Sequence, residues 1–532
     1  MEQLPSLAFM SSASSLFAYG DAWSTILWIT SLTFVFFIVA PSVCWAWNRL
    51  KKNNRKTRFF YYSIAAVAII GATWSFLLPI AIDSGFRKDD DGPVLRQILL
   101  YATGGLLGVI TLGETHRKNN QEREKNENDH TRQMYAERRS RYTKAVEQLA
   151  NEKAAVRLGG IYTLVGLVDE WLADDTLESE EQQKEGQVII NNLCSYIRSS
   201  FPLAEKREVL EKDHTTDGYD GDFTLDRAQL CEEQDVRRAI FEEMSKRSST
   251  VSVDKSAEVT VTPGAWSTFE FNFSRAPIFY PLNNLTIEQG NFASTRFYGE
   301  ANFRDTKFAG DANFRGAAFT DAYFWHSTFT GNAYFWYSTF TEKAEFLHAT
   351  FAKDAYFSNA FVWNTTFAGE THFGNTTFNG ETHFENITFN GDAYFNNTTF
   401  NGETDFRNAT FSQDANFSTA TFTGNVDFRG AKFIRCTRFG GAKFIRCTSF
   451  EGAYFEKYAP IFADDSGTAR FSDRVNWEDS NFSVRFDSQP IERGSATLGN
   501  KTFRLPLGTI LFDPTSWDEQ KEVYTRVSAP AK

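Results

Sequence analysis

A phenylalanine returns every five or six residues, from Phe303 through Phe308, Phe314, Phe319, Phe324, Phe329 and Phe335 to Phe450 and Phe455. Only Val362 takes the place of a Phe at its beat. A period this short, held over this length, predicts a solenoid, in which each coil buries its apolar groups against the coils on either side. Two residues before each Phe sits a small residue: Ala301, Thr306, Ala312, Ala317, Ala322, Ser327, Ala333 and so on to Ala453, with Ile387 and Val426 as the exceptions. On an extended segment, residues i and i+2 point the same way. Each unit of about five residues therefore sends one large and one small side chain inward, which fits a narrow tube with four short sides. Neither a 3.6-residue helical period nor the strict alternation of a free sheet matches.

The units Ala301-Asn302-Phe303-Arg304-Asp305 and Thr306-Lys307-Phe308-Ala309-Gly310 resemble the pentapeptide-repeat family, whose unit reads small–x–Phe/Leu–x–x. The resemblance implies a right-handed quadrilateral β-helix. Steps alternate five and six, so a coil takes roughly 22 residues, which makes about seven coils and a rod of roughly 35 Å. The spacing of Phe357, Val362, Phe367 and Phe373 is five, five and six, and is expected to add one face and turn the corner pattern by a quarter. Cys436 and Cys447 stand half a coil apart, on opposite faces, and are expected not to pair.

The N-terminal part reads as membrane. Residues 24–46 and 59–82 carry no charge, and each is long enough to cross about 30 Å of hydrocarbon. A third apolar run completes three expected spans at 24–46, 59–82 and 95–113, within a membrane domain of residues 1–113. The first loop is basic (Arg49, Lys51, Lys52, Arg55, Lys56, Arg58), and Arg117, Lys118, Arg123 and Lys125 follow the third run. By the positive-inside rule these face the cytoplasm. The expectation is a multi-pass protein of a bacterial inner membrane with its C-terminal domains cytoplasmic.

Residues 114–133 form a charged stalk without the apolar a/d positions of a coiled coil. Residues 134–250 read as a small helical domain, from the stripes Leu158, Ile161, Val165, Val168, Leu172 and Val236, Ile240, Met244. The strings Val156-Arg157-Leu158-Gly159-Gly160-Ile161-Tyr162 and Leu193-Cys194-Ser195-Tyr196-Ile197-Arg198 resemble the helical segment of bacterial membrane-anchored pentapeptide-repeat proteins. Residues 251–462 then hold the β-helix with its N-terminal cap, and 463–532 a C-terminal cap and mobile tail.

No Walker loop, G-x-S-x-G, H-E-x-x-H or clustered Cys/His appears, and the carboxylates do not converge. The chain is thus expected to be non-catalytic, with no cofactor and no metal. The five cysteines have no C-x-x-C spacing, which suits a reducing compartment. His326 and His348, 22 apart, are expected to stack on one face, a poor metal site without a third ligand. Tyr323 and Trp325 flank Phe324, while Tyr334 and Trp336 flank Phe335. Both pairs are expected to point outward on opposite faces, with Tyr356 one coil beyond Tyr334. These five are the candidate protein-binding residues; the alternative is an aromatic ladder that stacks on itself and serves only the rod.

The formal charge of −12 argues against direct nucleic-acid binding. Acidic residues dominate from Glu300 to Phe428, followed by the basic band Arg429, Lys432, Arg435, Arg438, Lys443 and Arg446. The functional expectation is a membrane-tethered scaffold presenting a rigid rod to a protein partner, with the lipid bilayer as the other partner and self-association open. The alternative is similarity to the DNA-mimicking pentapeptide proteins that bind a DNA-processing enzyme such as gyrase.

Overall fold

The computed structural model describes residues 92–532 except 213–218, 255–256 and 359–364, together with a few helical positions between 64 and 75. The expected spans 24–46 and 59–82 lie outside the described residues, apart from those few positions. The chain divides into two units, residues 1–136 and 137–532.

In the first unit the dominant element is the start of helix α1 (Gly92–Leu149). Val94, Ile98, Leu100, Leu106, Val109 and Leu112 are exposed along it. Among the described residues this is the one helix long and apolar enough to cross a membrane. The charged residues that follow continue the same helix, because Glu, Lys, Arg and Gln are good helix formers even without an apolar stripe.

The second unit begins with a helical region. Helices α2 (Ala154–Leu172) and α3 (Ser179–Arg198) bury Ile161, Leu164, Val165 and Val168 together with Ile189, Ile190, Leu193 and Ile197. Helix α4 (Phe223–Ser245) buries Val236, Ile240 and Met244. It starts where the Asp222 carboxylate accepts a hydrogen bond from Leu225 N at 3.0 Å, an N-cap that satisfies one orphan donor.

The rest is the solenoid. Its strands are two or three residues long and stack in register into four parallel sheets of nine, nine, seven and ten strands. We number the faces I to IV in coil order. Face I starts at Phe271–Asn272, face II at Pro277–Ile278, face III at Glu300–Asn302 and face IV at Thr286–Glu288. Each inward Phe stacks on the Phe one coil away, for example Phe384 on Phe357 at 4.8 Å and on Phe406 at 5.0 Å. It also meets rings of other columns edge-on, as Phe384 meets Phe395 at 5.6 Å and 80°. Both geometries are favoured by the ring quadrupole, so the four stacks interlock. Two corners per coil are tight turns in which the Phe carbonyl accepts from the N–H three residues on, such as Ser327 N to Phe324 O at 3.1 Å. The residue before that donor is left-handed: Asp305, His326, His348, Asn375, Asn397 and Thr419 form one such column, closed by Gly441. A type II turn demands this conformation, which Asn and Gly adopt at least cost.

Four expectations need correction. The rod is longer than seven coils, because the ladder begins at Phe271 and its first rungs use Ile278 and Ile287 where later coils use Phe. The quarter-turn of the corner pattern does not occur. Thr339 pairs with Thr366, Ala344 with Thr371 and Ala355 with Thr382, each 27 residues apart, and the same four sheets continue unbroken. Phe357 O accepts from Thr365 N, so this corner closes over eight residues of sequence where others close over three, and no face is added. Val362 itself lies outside the described residues.

The third correction is that helices share in closing the start of the rod. Trp266, Phe269, Phe271 and Phe273 are buried there as expected, but Phe241 of α4 lies 4.6 Å from Phe273, and a Cβ on Gly186 of α3 would meet the Phe269 ring at 2.6 Å. Trp266 also hydrogen-bonds Asp169 at 3.0 Å, and a hairpin (Thr250–Val253 with Val259–Thr262) is held to face IV by Lys307 and Asn379. Finally, the C-terminal segment is docked. Arg470–Ser472 and Ile510–Phe512 extend face IV, and buried Asp513 pairs with Arg474 and Arg526. Lys532 O accepts from Ser495 N at 2.8 Å. The tail lacks an apolar run and is fixed by backbone bonds and one buried carboxylate, features a periodicity search does not see.

Candidate functional site

The outward positions of each strand carry whatever chemistry the rod displays. Tyr323 belongs to face III and Tyr334 to face I, so the two aromatic pairs stand back to back across the core. On face III the Tyr323 and Trp325 rings meet edge-on at 5.9 Å. The Arg304 guanidinium covers Trp325 at 4.1 Å, and the indole N–H donates to Glu345 Oε2 at 2.6 Å. On face I, Tyr334 stacks on Tyr356 at 5.2 Å, and Arg315 lies 5.1 Å from the Trp336 ring. Burial, then Asp354, pushes the Tyr356 hydroxyl up to about 12, which keeps it a neutral donor to that carboxylate.

The structure extends these clusters beyond the five expected residues. Tyr356 stacks next on His383 at 4.7 Å, and on face III His372 stacks on Tyr394 at 4.5 Å. Tyr337, at a left-handed corner, is 52% exposed. A constant step of 22 from Tyr356 lands on Phe378; the 27-residue coil is what brings His383 into line. His326 and His348 stack at 4.8 Å as expected, and no group of three metal-capable side chains gathers among the described residues. Cys436 and Cys447 precede strands of faces III and I, which stand opposite each other, and both are free thiols.

The acidic side chains have internal work. At the corners Asp311, Asp354, Asp392 and Asp414 each accept a backbone N–H from the next coil, at 2.8, 2.8, 3.0 and 3.2 Å. Asp427 pairs with Arg429 at 2.6 Å, and Asp405 pairs with Arg407. These carboxylates satisfy donors that would otherwise be orphaned where a strand ends.

Against known proteins, a family model described as pentapeptide repeats in nine copies matches residues 292–339, 373–421, 384–432 and 417–460. The rod is a pentapeptide-repeat solenoid. The matches are interrupted between 339 and 373, across the 27-residue coil. No curated protein and no solved structure gives a significant match. The pentapeptide repeats thus account for the coil geometry, while the half-buried aromatic strips on faces I and III, with exposed Tyr337 beside them, are features of this chain's own outward positions.

Proposed function

We propose that this protein is a tethered, non-catalytic interaction module: a stiff pentapeptide-repeat rod that offers its aromatic strips to a protein partner. Pentapeptide-repeat solenoids serve in general as interaction or scaffold modules. The carrying observation is the strip on face I, where Tyr334, Tyr356 and His383 make a continuous outward ladder beside Trp336 and exposed Tyr337. Large, pre-ordered aromatic side chains give contact area with little entropy left to lose, which is how binding hot spots are built. The tether is supported by the apolar half of α1, and its cytoplasmic orientation in a bacterial inner membrane by the basic loop Arg49–Arg58.

DNA mimicry is the weaker reading. It needs an unpaired carboxylate surface; here Asp405 and Asp427 are paired with arginines, and Asp311, Asp354 and Asp392 are held by neighbouring backbone N–H groups, which thins that surface. Crosslinking in cells tests the proposal. A Tyr334→Ala/Trp336→Ala double variant of the full chain should lose specific crosslinked partners that an outward Thr388→Ala variant keeps. Retention of every crosslink by the double variant refutes the face I strip as the contact site.

A further inference from the structure

The basic band does not behave as one surface. Arg429 is paired with Asp427, and Arg438 lies 3.7 Å from Asp414. Lys443 has a different setting. It is an outward residue of face IV, directly in register with Arg470 one rung further on and with Thr421 one rung before. Neighbouring rungs of a parallel sheet are only about 4.8 Å apart. Two cations are therefore stacked side by side, and neither has a carboxylate within ion-pair distance among the described residues.

The C-terminal hairpin Trp517–Asp518 with Val523–Tyr524 walls this pair. The Lys443 ammonium lies 5.6 Å from the Trp517 ring and 5.9 Å from Tyr524, and the Arg470 guanidinium lies 5.8 Å from Tyr524. The two rings contact each other at 4.8 Å. Aromatic faces attract a cation but carry no net charge, so they leave the repulsion between Lys443 and Arg470 uncancelled. Burial, and then the Arg470 guanidinium, hold the Lys443 ammonium below its usual pKa, as expected for a desolvated cation lacking a counter-charge.

We propose that Thr421, Lys443 and Arg470, walled by Trp517 and Tyr524, form a binding site for a compact oxyanion of the phosphate or phosphomonoester class. One tetrahedral anion bridges two cations a single rung apart. The guanidinium offers parallel N–H donors to two of its oxygens, Lys443 adds a point charge, and the Thr421 hydroxyl sits on the adjoining rung. The site lies at the far end of the rod on face IV, apart from the aromatic strips of faces I and III, and does not rest on the scaffold reading.

Isothermal titration of the full chain with inorganic phosphate tests it. Saturable binding is expected. It should weaken at least about tenfold when a charge-assisted partner is removed in Lys443→Gln or Arg470→Gln. It should persist in Arg435→Gln, a band residue outside the slot, and within a few-fold in the charge-keeping Lys443→Arg variant. Absence of saturable heat in the wild type, or equal binding by wild type, Lys443→Gln and Arg470→Gln, overturns the proposal. A folding defect is separated by Lys443→Arg, which retains the cation; loss of binding there with an unchanged unfolding midpoint also overturns it. Two competitors identify the source of the anion. Displacement of phosphate by glycerol phosphate marks a soluble ligand. Displacement by vesicles containing phosphatidic acid, and not by glycerol phosphate, marks a lipid headgroup.

Discussion

The 27-residue coil makes a sharp prediction. Removing Ala360–Asn364 leaves Phe357-Ser358-Asn359-Thr365-Thr366-Phe367, the same pattern as Phe373-Gly374-Asn375-Thr376-Thr377-Phe378 further along. Asn375 there is left-handed, with φ of 58°, and Asn359 would inherit the same corner position. The hydrogen bond that closes this corner joins Thr365 N to Phe357 O, eight residues apart, where regular corners close over three, as Thr376 N does to Phe373 O. Loop-closure entropy falls by about 0.6 kcal/mol for each halving of length, so the deletion should gain about 0.9 kcal/mol. The expected result is a urea midpoint equal to or above that of the wild type. Register can be read independently. Thr339 and Thr366 are rung neighbours on face II, and cysteines placed at both should crosslink, since neighbouring strands at about 4.8 Å lie within disulfide reach. The crosslink should survive the deletion. Removing Ala393–Asn397 instead takes out a whole five-residue unit, shifts every later column and should cost several-fold more stability. A loss above about 2 kcal/mol on deleting Ala360–Asn364, or loss of the Thr339→Cys/Thr366→Cys crosslink, refutes the reading that the surplus is spliced into one corner.

Other outcomes follow from single side chains. Thr376 donates to Phe346 O at 2.5 Å, so Thr376→Val should cost about 1 kcal/mol in urea unfolding. Thr404 is buried with no partner for its hydroxyl, and the next rung of its column is Val426, so Thr404→Val should be neutral or stabilising in the same assay. Arg237, 1% exposed, bonds Glu233 at 2.7 Å and the Ile197 and Ser199 carbonyls at 2.9 and 3.0 Å; Arg157 and Tyr196 still hold Glu233 in its absence, so Arg237→Ala should cost about 2–3 kcal/mol, chiefly through the two carbonyls left without a donor. Burial opposes ionisation of Glu243, but hydrogen bonds from Lys246 and Arg247 outweigh it and hold the carboxyl below its usual range. Its contribution is therefore complete above the unfolded pKa of about 4.3 and fades as the pH falls through the lower folded value. Melting temperatures between about pH 3 and 6 should fall more steeply with acid for the wild type than for Glu243→Gln.

The rod was legible because its period is carried by inward residues, and inward residues answer to packing alone. Phe384 has rings above, below and beside it, and few other side chains fill that space. The same logic explains the failures. Ile278 and Ile287 fill the same space in the first coils, and a search for Phe passes over them. A run of five, five and six has two solutions, an added face or an enlarged corner, and only the continuity of four ladders chooses between them. The stacking of Tyr334, Tyr356, His326 and His348 followed from a 22-residue step, while His383 was lost where that step became 27. The Lys443–Arg470 pair was illegible for a related reason. Arg470 lies beyond the periodic segment, and the Trp517–Tyr524 hairpin that walls it comes from a region with no repeat to anchor a prediction.

A solenoid uses much of its own surface, and that bears on where partners can bind. Asp and Asn at the corners look available in sequence, yet Asp392 and Asp414 each cap the coil after their own, and Asn425 caps Cys447 N at 3.2 Å. Thr and Ser at the small inward positions are turned into the wall, as Ser338 is towards Phe314 O at 2.7 Å. Beside these groups and exposed charges such as Glu342, Lys343 and Lys353, the outward surface carries aromatic strips on faces I and III and a cation pair at the end of face IV. Opposite faces of a stiff rod cannot converge on one small molecule, so the aromatic strips suit extended partners gripped from two sides or two partners held apart. The face IV pair, by contrast, is compact, charged and walled, which is the geometry of a site for a small anion. Charge reversal at Lys443 should thus leave crosslinking through Tyr334 and Trp336 intact, while the Tyr334→Ala/Trp336→Ala variant should leave phosphate binding intact. Coupled loss in either experiment would break the separation between the two surfaces.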